Sequence, residues 1–390
     1  MKQAIAIASA AAALILLGTS AANAGADAGA NAGADAGADA AADAGAGWVQ
    51  EPVPLPANWG HGIVLSGVSC PAPDSCVAVG QYSHPHSAGT FHALAEYWNG
   101  STWAIQHLAR PAAAWYSALN GVSCLSATDC TAVGFDYGDV LAEHWNGSTW
   151  AVQPTSVPAS YGAVPNAVAC ATATACIAVG WYYKAPTEVP FAERWNGTTW
   201  AMLPIPPGSP ATYLDGISCV SATSCTAVGQ GYNSASNPYP AAEHWDGRSW
   251  TAQSVPSPAG PVSSSLKAIS CVSAGNCTAV GADSSGTLAE HWDGTAWSVQ
   301  PAPALPGAGA TLYAVSCVSA ARCTAAGHYA WGALAETWNG TAWKQQPTAR
   351  PAARITLFGV SCTLARTCTA VGTVRLPRHQ DLDPLIAEQE

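Results

Sequence analysis

Three sets of side chains in this chain are of a type that does chemistry: fourteen cysteines, a recurring glutamate, and a scatter of unrepeated acids, histidines and aromatic rings. The cysteines are the most regular. They fall as Cys70/Cys76, Cys124/Cys130, Cys170/Cys176, Cys219/Cys225, Cys271/Cys277, Cys317/Cys323 and Cys362/Cys368, with five residues between partners and 45 to 54 residues from one pair to the next. Such thiols could hold metal or join as disulfides. A structural zinc site needs four Cys or His ligands, and no pair brings recurring partners of either kind, so seven metal sites are excluded.

A glutamate also recurs, as Glu96, Glu143, Glu193, Glu243, Glu290, Glu336 and Glu388. An active site needs one special constellation rather than seven copies, so this carboxylate reads as structural. Its expected partner is a hydroxyl, an indole N–H or a backbone N–H. The unrepeated acids Asp136, Asp139, Glu188 and Asp215 are where a glycoside hydrolase would find its two carboxylates. Ser83-His84-Pro85-His86 with His92 offers imidazoles to a transition metal, but reads more simply as a solvated loop. No cofactor is expected.

The elements that position these groups follow from the repeat. Each unit runs Gly/Ala-Val/Ile-Ser/Ala-Cys, five residues, Cys-x-Ala-Val/Ala-Gly, a variable stretch, then Ala-Glu-x-Trp-Asn/Asp-Gly-x-x-Trp. In the second unit, residues 119–124, 130–135, 140–145 and 149–153 are short β-branched or aromatic runs without helical periodicity, separated by turn residues. Each unit is therefore four strands. Asn-Gly or Asp-Gly between the third and fourth predicts a type I′ hairpin with positive φ at both residues, which also explains the sequons at Asn99, Asn146, Asn196 and Asn339 without a glycan. Glu143 would then oppose Trp150. Trp145 and Trp150 project from one face and recur as Trp98/Trp103, Trp195/Trp200, Trp245/Trp250, Trp292/Trp297 and Trp338/Trp343, which suits a packing layer between sheets.

Seven four-stranded units predict an all-β, seven-bladed propeller of antiparallel blades over residues 48–390. The last unit stops at Ile386-Ala387-Glu388, without a fourth strand, and Trp48-Val49-Gln50 stands ahead of the first unit and matches that strand in kind. Pairing the two closes the ring and removes an open edge. Cysteines on the first and second strands would face each other across a hairpin, predicting seven disulfides within blades.

The segments Ser-Cys-x5-Cys-x-Ala-Val-Gly and Ala-Glu-His-Trp-Asn-Gly-x-x-Trp, spread over residues 48–388, resemble the repeats of secreted bacterial seven-bladed propeller proteins, and more distantly those of Kelch and Asp-box propellers. The resemblance implies the fold and no particular activity. Sialidase-type propellers carry three clustered arginines with a Tyr/Glu pair, and Kelch-type radical copper oxidases need a Cys joined to Tyr; neither arrangement is visible here.

Residues 1–24 read as a signal peptide: Lys2, an apolar run from Ala4 to Leu17, and Ala22-Asn23-Ala24 as the cleavage site. Residues 25–47 hold only Gly, Ala, Asp and one Asn, too little apolar surface to fold, and read as a linker. The expected product is secreted and monomeric. Beyond Lys2 and the four linker Asp residues the chain keeps 12 basic and 20 acidic residues, net −8, which excludes a phosphate-backbone or anionic-lipid partner.

A binding module remains the favoured expectation. Within each unit, the short turns share one face of the disc, and the connections of variable length share the other, which also carries most of the unrepeated aromatics. Trp115, Tyr116, Tyr137, Trp181, Tyr182, Tyr183, Tyr213, Tyr232, Tyr313 and Trp331 are the candidate ligand residues. Aromatic rings among Asn, Ser and Asp suit a carbohydrate or another extracellular polymer. A glycoside hydrolase or lyase, and a protein-interaction scaffold, are the alternatives.

Overall fold

The computed structural model describes residues 47–56, 62–83, 90–109, 116–155, 162–207, 209–257, 263–303, 305, 309–330, 332–348, 354–363, 367–375 and 382–389. The signal and linker segments lie outside these residues, Gly47 excepted, as do Trp115, Trp331, His84 and His86.

The described residues form seven separate four-stranded antiparallel sheets. Blade 2 is representative, with strands Ser117–Ser126, Asp129–Asp136, Asp139–Trp145 and Trp150–Val152 in sequential order. The first strands of all seven blades pack side by side around a central axis, each on the next and the last on the first. Blade 7 combines Arg354–Cys362, Cys368–Arg375 and Leu382–Gln389 with the N-terminal strand Trp48–Glu51, which pairs antiparallel with Leu382–Gln389. Closure is therefore as the sequence predicts.

Why these residues make blades is visible at four repeated positions. The second-strand glycine, Gly134 in blade 2, sits opposite a bulge in the first strand, where an added Cβ would run into the carbonyl of Ala118. The cysteines of each pair face each other across the first hairpin, with Cα atoms 3.9 to 4.1 Å apart, and all seven disulfides are formed. The two tryptophans are register partners, as in Trp145↔Trp150, with ring centroids 5.8 Å apart, and reach towards the preceding blade. The serine before each first cysteine has a role the sequence did not announce. Its Oγ accepts the backbone N–H of the next blade's cysteine: Cys124 N–H donates to Ser69, Cys170 to Ser123, and Cys70 to Ser361 across the closing seam, all at 2.9 to 3.0 Å. Blade 3 alone has alanine there, Ala169.

The sequence expects all fourteen cysteines to be joined in seven disulfides within blades, and the structure bears this out. The two members of a pair are placed differently. Cys70, Cys124, Cys170, Cys219, Cys271, Cys317 and Cys362, on the first strands, are half-buried. Their partners on the second strands lie in the core: Cys130, Cys176, Cys277 and Cys323 are 1% exposed, Cys76 and Cys225 2%, and Cys368 4%. Burial follows from their position, because the second strand is covered on both faces by the neighbouring blades. Cys130, Cys176, Cys225, Cys277 and Cys323 each bring Sγ to 3.6 to 4.0 Å from the carbonyl oxygen four residues back, on Ser126, Thr172, Ser221, Ser273 and Ser319. A sulfur in a disulfide has no hydrogen to donate, so these approaches are van der Waals contacts across the tight first turn.

Three local expectations are also corrected. The third-to-fourth connection is a four-residue loop, Asn146 to Thr149, because the tryptophans pair with each other; Glu143 consequently faces Val152, not Trp150. Only the glycine takes positive φ (+91° at Gly147), and neither Asn nor Asp does at this place in the described blades. What Asn and Asp share is an acceptor. Asn146 Oδ1 takes Ser148 N–H and Oγ–H and Thr149 N–H at 2.8 to 3.0 Å, and Asp293 Oδ1 does the same for Thr295 and Ala296.

The third correction lies in blade 7. Glu388 pairs with Thr369, whereas Glu143 pairs with Ala132, so the last strand is displaced by one residue relative to its repeat. Ala387 fills the buried glutamate position and Gln389 the position of the third-strand tryptophan. This register seats Leu385 where Leu141 packs in blade 2 and spares a buried carboxylate its desolvation cost.

The six remaining repeated glutamates are buried, with exposure of 0 to 1%. Glu143 Oε2 accepts Ala109 N–H at 2.8 Å and Glu243 Oε1 accepts Ser209 Oγ–H at 2.5 Å, each clasping the connection that enters its own blade. Glu336 instead accepts Thr287 Oγ–H of the preceding blade at 3.3 Å. Burial pushes the carboxyls of Glu96 and Glu290 up to about 8 and that of Glu336 to about 7.

Candidate functional site

In each blade the first strand is broken by a bulge between a Leu or Pro and a Gly or Ala, and the extra residue there faces its counterparts in neighbouring blades. Around the axis these residues are Ser66, Asn120, Asn166, Asp215, Lys267, Tyr313 and Phe358. The flanking positions repeat, and this one does not. It is the unique constellation that a sevenfold scaffold can offer.

Side-chain contacts join parts of this ring. Asn120 Nδ2 donates to Pro165 O at 2.8 Å, and Asn166 Nδ2 donates to Leu214 O at 3.0 Å and to Asp215 Oδ1 at 3.3 Å. Lys267 Nζ donates to Asp215 Oδ2 at 2.9 Å and to Gln230 Oε1 at 3.4 Å. Tyr313 and Phe358 lie with centroids 5.4 Å apart, and His328 stacks on Tyr313 at 5.7 Å. One arc of the ring is therefore amide and ion pair, and the other is aromatic. The ring lies nearer the face of the variable connections, since the bulge follows the start of the first strand by a few residues.

The sequence-predicted aromatics fall into groups around this ring. Trp181, Tyr213 and Tyr232 form a row, edge to face, with centroids 5.8 and 6.1 Å apart. Tyr213 OH donates to Glu188, and Gln230 Nε2 donates to Tyr232 OH at 2.8 Å, so Gln230 ties the row to Lys267 of the ring. The row is built from the long hairpin Ala175–Lys184/Thr187–Trp195 of blade 3 and the first two strands of blade 4. Tyr116 sits apart, between Phe91 and Phe135 at 5.5 Å from each. Tyr137 takes φ of +54° at its turn and is 65% exposed, an unusual backbone for an aromatic residue and one found often at ligand sites. Tyr182 packs on Val140, Ala163 and Phe191, which is a core role, whereas Tyr183 is exposed. Trp115 and Trp331 lie outside the described residues.

Of the four unrepeated acids, Glu188 and Asp215 are engaged by Tyr213 and Lys267. Asp136 is buried and faces Asp139 across the blade 2 turn. Among the described residues no cluster of three His, Cys, Asp or Glu could hold a metal ion. Sequence reasoning had Asp215 and Tyr313 among its candidates but missed the ring they share. The signal was present: aligned repeats show a fixed Leu or Pro, a variable residue, then Gly or Ala.

No protein-family model and no curated protein matches the chain. Solved structures do. The structure "YCF48 bound to D1 peptide" covers 88% of this chain and 94% of its own, with TM-score 0.55 at 13% identity. YCF48 from Cyanidioschyzon merolae is similar at TM-score 0.53 and 14% identity, covering 88% of this chain and 98% of its own. Trypanosoma rangeli sialidase aligns over 84% of this chain and 55% of its own at TM-score 0.47 and 11% identity. At such identities the likeness is one of fold.

Proposed function

We propose that this chain is a non-catalytic binding propeller whose variable-connection face takes a segment of an extracellular polymer, in the first place a neutral glycan. The observation that carries the reading is the row Trp181–Tyr213–Tyr232, joined through Gln230 to the unrepeated ring. Aromatic rings cover the apolar face of a sugar, while Gln230, Asn166 and Asn120 meet its hydroxyls. What favours binding over hydrolysis is that Glu188 and Asp215 already serve Tyr213 and Lys267. Secretion fits the N-terminal segment, the seven disulfides and their oxidising compartment.

A peptide is the second reading, favoured by the similarity to YCF48, which was solved bound to a D1 peptide. Retention on immobilised polysaccharides, alongside a peptide array, tests both. Trp181→Ala and Tyr213→Ala should each weaken retention about tenfold or more with unchanged melting temperature. Retention by both variants equal to that of the parent removes this face from the function. Capture of peptides alone replaces the glycan by the second reading.

A further inference from the structure

The one-residue displacement in blade 7 has a second effect, on the opposite face and at the closing seam. In blades 1 to 6 the third strand ends in a tryptophan, and the residue before it is Tyr97, His144, Arg194, His244, His291 or Thr337. In blade 1 that residue faces the following blade's tryptophan, with the rings of Tyr97 and Trp145 6.2 Å apart between centroids. At the seam the corresponding residue of blade 7 is Glu388, and the tryptophan of blade 1 is Trp98. A carboxylate thus stands at the seam where blade 1 places the ring of Tyr97. Beside it lies an open cleft of about 310 Å³ between the two blades, floored by the Cys70–Cys76 disulfide.

We propose that this seam cleft is a small-ligand site for one neutral pyranose ring, independent of the polymer face. Its volume lies at the lower end of ligand pockets, enough for a single sugar and too small for a folded partner. Trp98 walls one side and is held by its indole N–H, which donates to Pro73 O at 3.3 Å. A fixed indole gives a flat apolar surface for the C–H face of a sugar. Thr363, Thr367 and Thr369 line the blade 7 side, the first two hydroxyls bonded to each other at 2.8 Å, and each keeps capacity for a further hydrogen bond. Asp74 and Glu388 also line the cleft, and a carboxylate, with about four lone-pair sites, accepts from a hydroxyl beside any partner it already has. No other interface among the described residues combines a tryptophan with a carboxylate at this register position.

Calorimetric and saturation-transfer NMR titration of the full protein with glucose, galactose and N-acetylglucosamine tests the site, with lysine methyl ester as a cationic arm. At least one monosaccharide should bind, and Glu388→Gln and Thr367→Val should each weaken it about tenfold, with Trp98→Ala abolishing it. If Trp98→Ala does not fold, the other two variants decide. These variants should leave polymer retention intact, and Trp181→Ala should leave monosaccharide binding intact, so each reading fails separately. No response to any sugar, binding unchanged in both Glu388→Gln and Thr367→Val, or a response to the cation alone overturns the proposal.

Discussion

At the scale of the residue, small polar side chains hold blade to blade. A serine hydroxyl receiving a cysteine N–H recurs around the ring, and the Cys219 N–H lacks it because Ala169 stands in the serine's place. Ala169→Ser should supply the missing acceptor and raise unfolding stability by about 1 kcal/mol, measured by urea titration. A drop in stability would show that the space cannot take the hydroxyl. The buried glutamates give a pH signature. Glu96 and Glu290 titrate near 8 when folded, against an ordinary value of 4.5, so the folded chain binds more protons than the unfolded chain between those limits. Their contribution is therefore complete below about pH 4.5 and declines as pH rises through that window, with a slope of up to about 1.4 kcal/mol per unit for each group. Glu96→Gln, neutral at every pH, should flatten the decline between pH 5 and 8 when melting temperature is followed against pH. An unaltered slope would mean that Glu96 ionises normally.

At the scale of the element, the third-to-fourth connection turns on one side-chain oxygen. Asn146 Oδ1 accepts three hydrogen bonds within the loop, and Asp246 accepts the two backbone ones at its own loop. Asn146→Ala should cost about 1 kcal/mol, and Asn146→Asp should be close to neutral, read from thermal melts of the two variants. Equal loss in both would assign the loop to its glycine instead. The same hydrogen bonds hold the carboxyl of Asp293 down to about 2, led by Thr295, so this acceptor stays ionised through the whole physiological range. The hairpin of blade 3 matters for a different reason. By running on to Lys184 and turning back at Thr187 it carries Trp181 to the edge of Tyr213, giving the variable-connection face its aromatic row.

At the scale of the whole molecule, the ring is closed by four residues from one end of the chain. Deleting Trp48–Glu51 would leave Leu382–Gln389 as an unpaired edge, and the truncated protein should melt earlier and aggregate on size-exclusion chromatography. Parental behaviour would refute closure by this strand. The seven blades, the closing strand and the disulfides were all legible beforehand, because each rests on a short pattern repeated seven times or on its completion: Cys-x5-Cys, Trp-Asn-Gly-x-x-Trp, Cys-x-Ala-Val-Gly. The spacing that joins Cys124 to Cys130 did not say that Cys130 would be sealed in the core and Cys124 half-open, since that depends on which strand the neighbouring blades cover. Repetition reports local geometry well. Departures from repetition it reports poorly, since a single variable residue between Leu and Gly looks like noise until bulges in seven first strands bring Asn166, Asp215, Lys267 and Tyr313 around one axis. The same holds at the seam. Sequence alignment puts Glu388 beside Glu143, yet the last strand slips by one residue, because burying Leu385 and Ile386 stabilises it and burying a carboxylate would not. The amino-acid sequence by itself determined the repeat, its strands and its closure, since those depend on neighbours along the chain. Only the tertiary structure decided which unrepeated residues meet, since that depends on packing between blades some 50 residues apart.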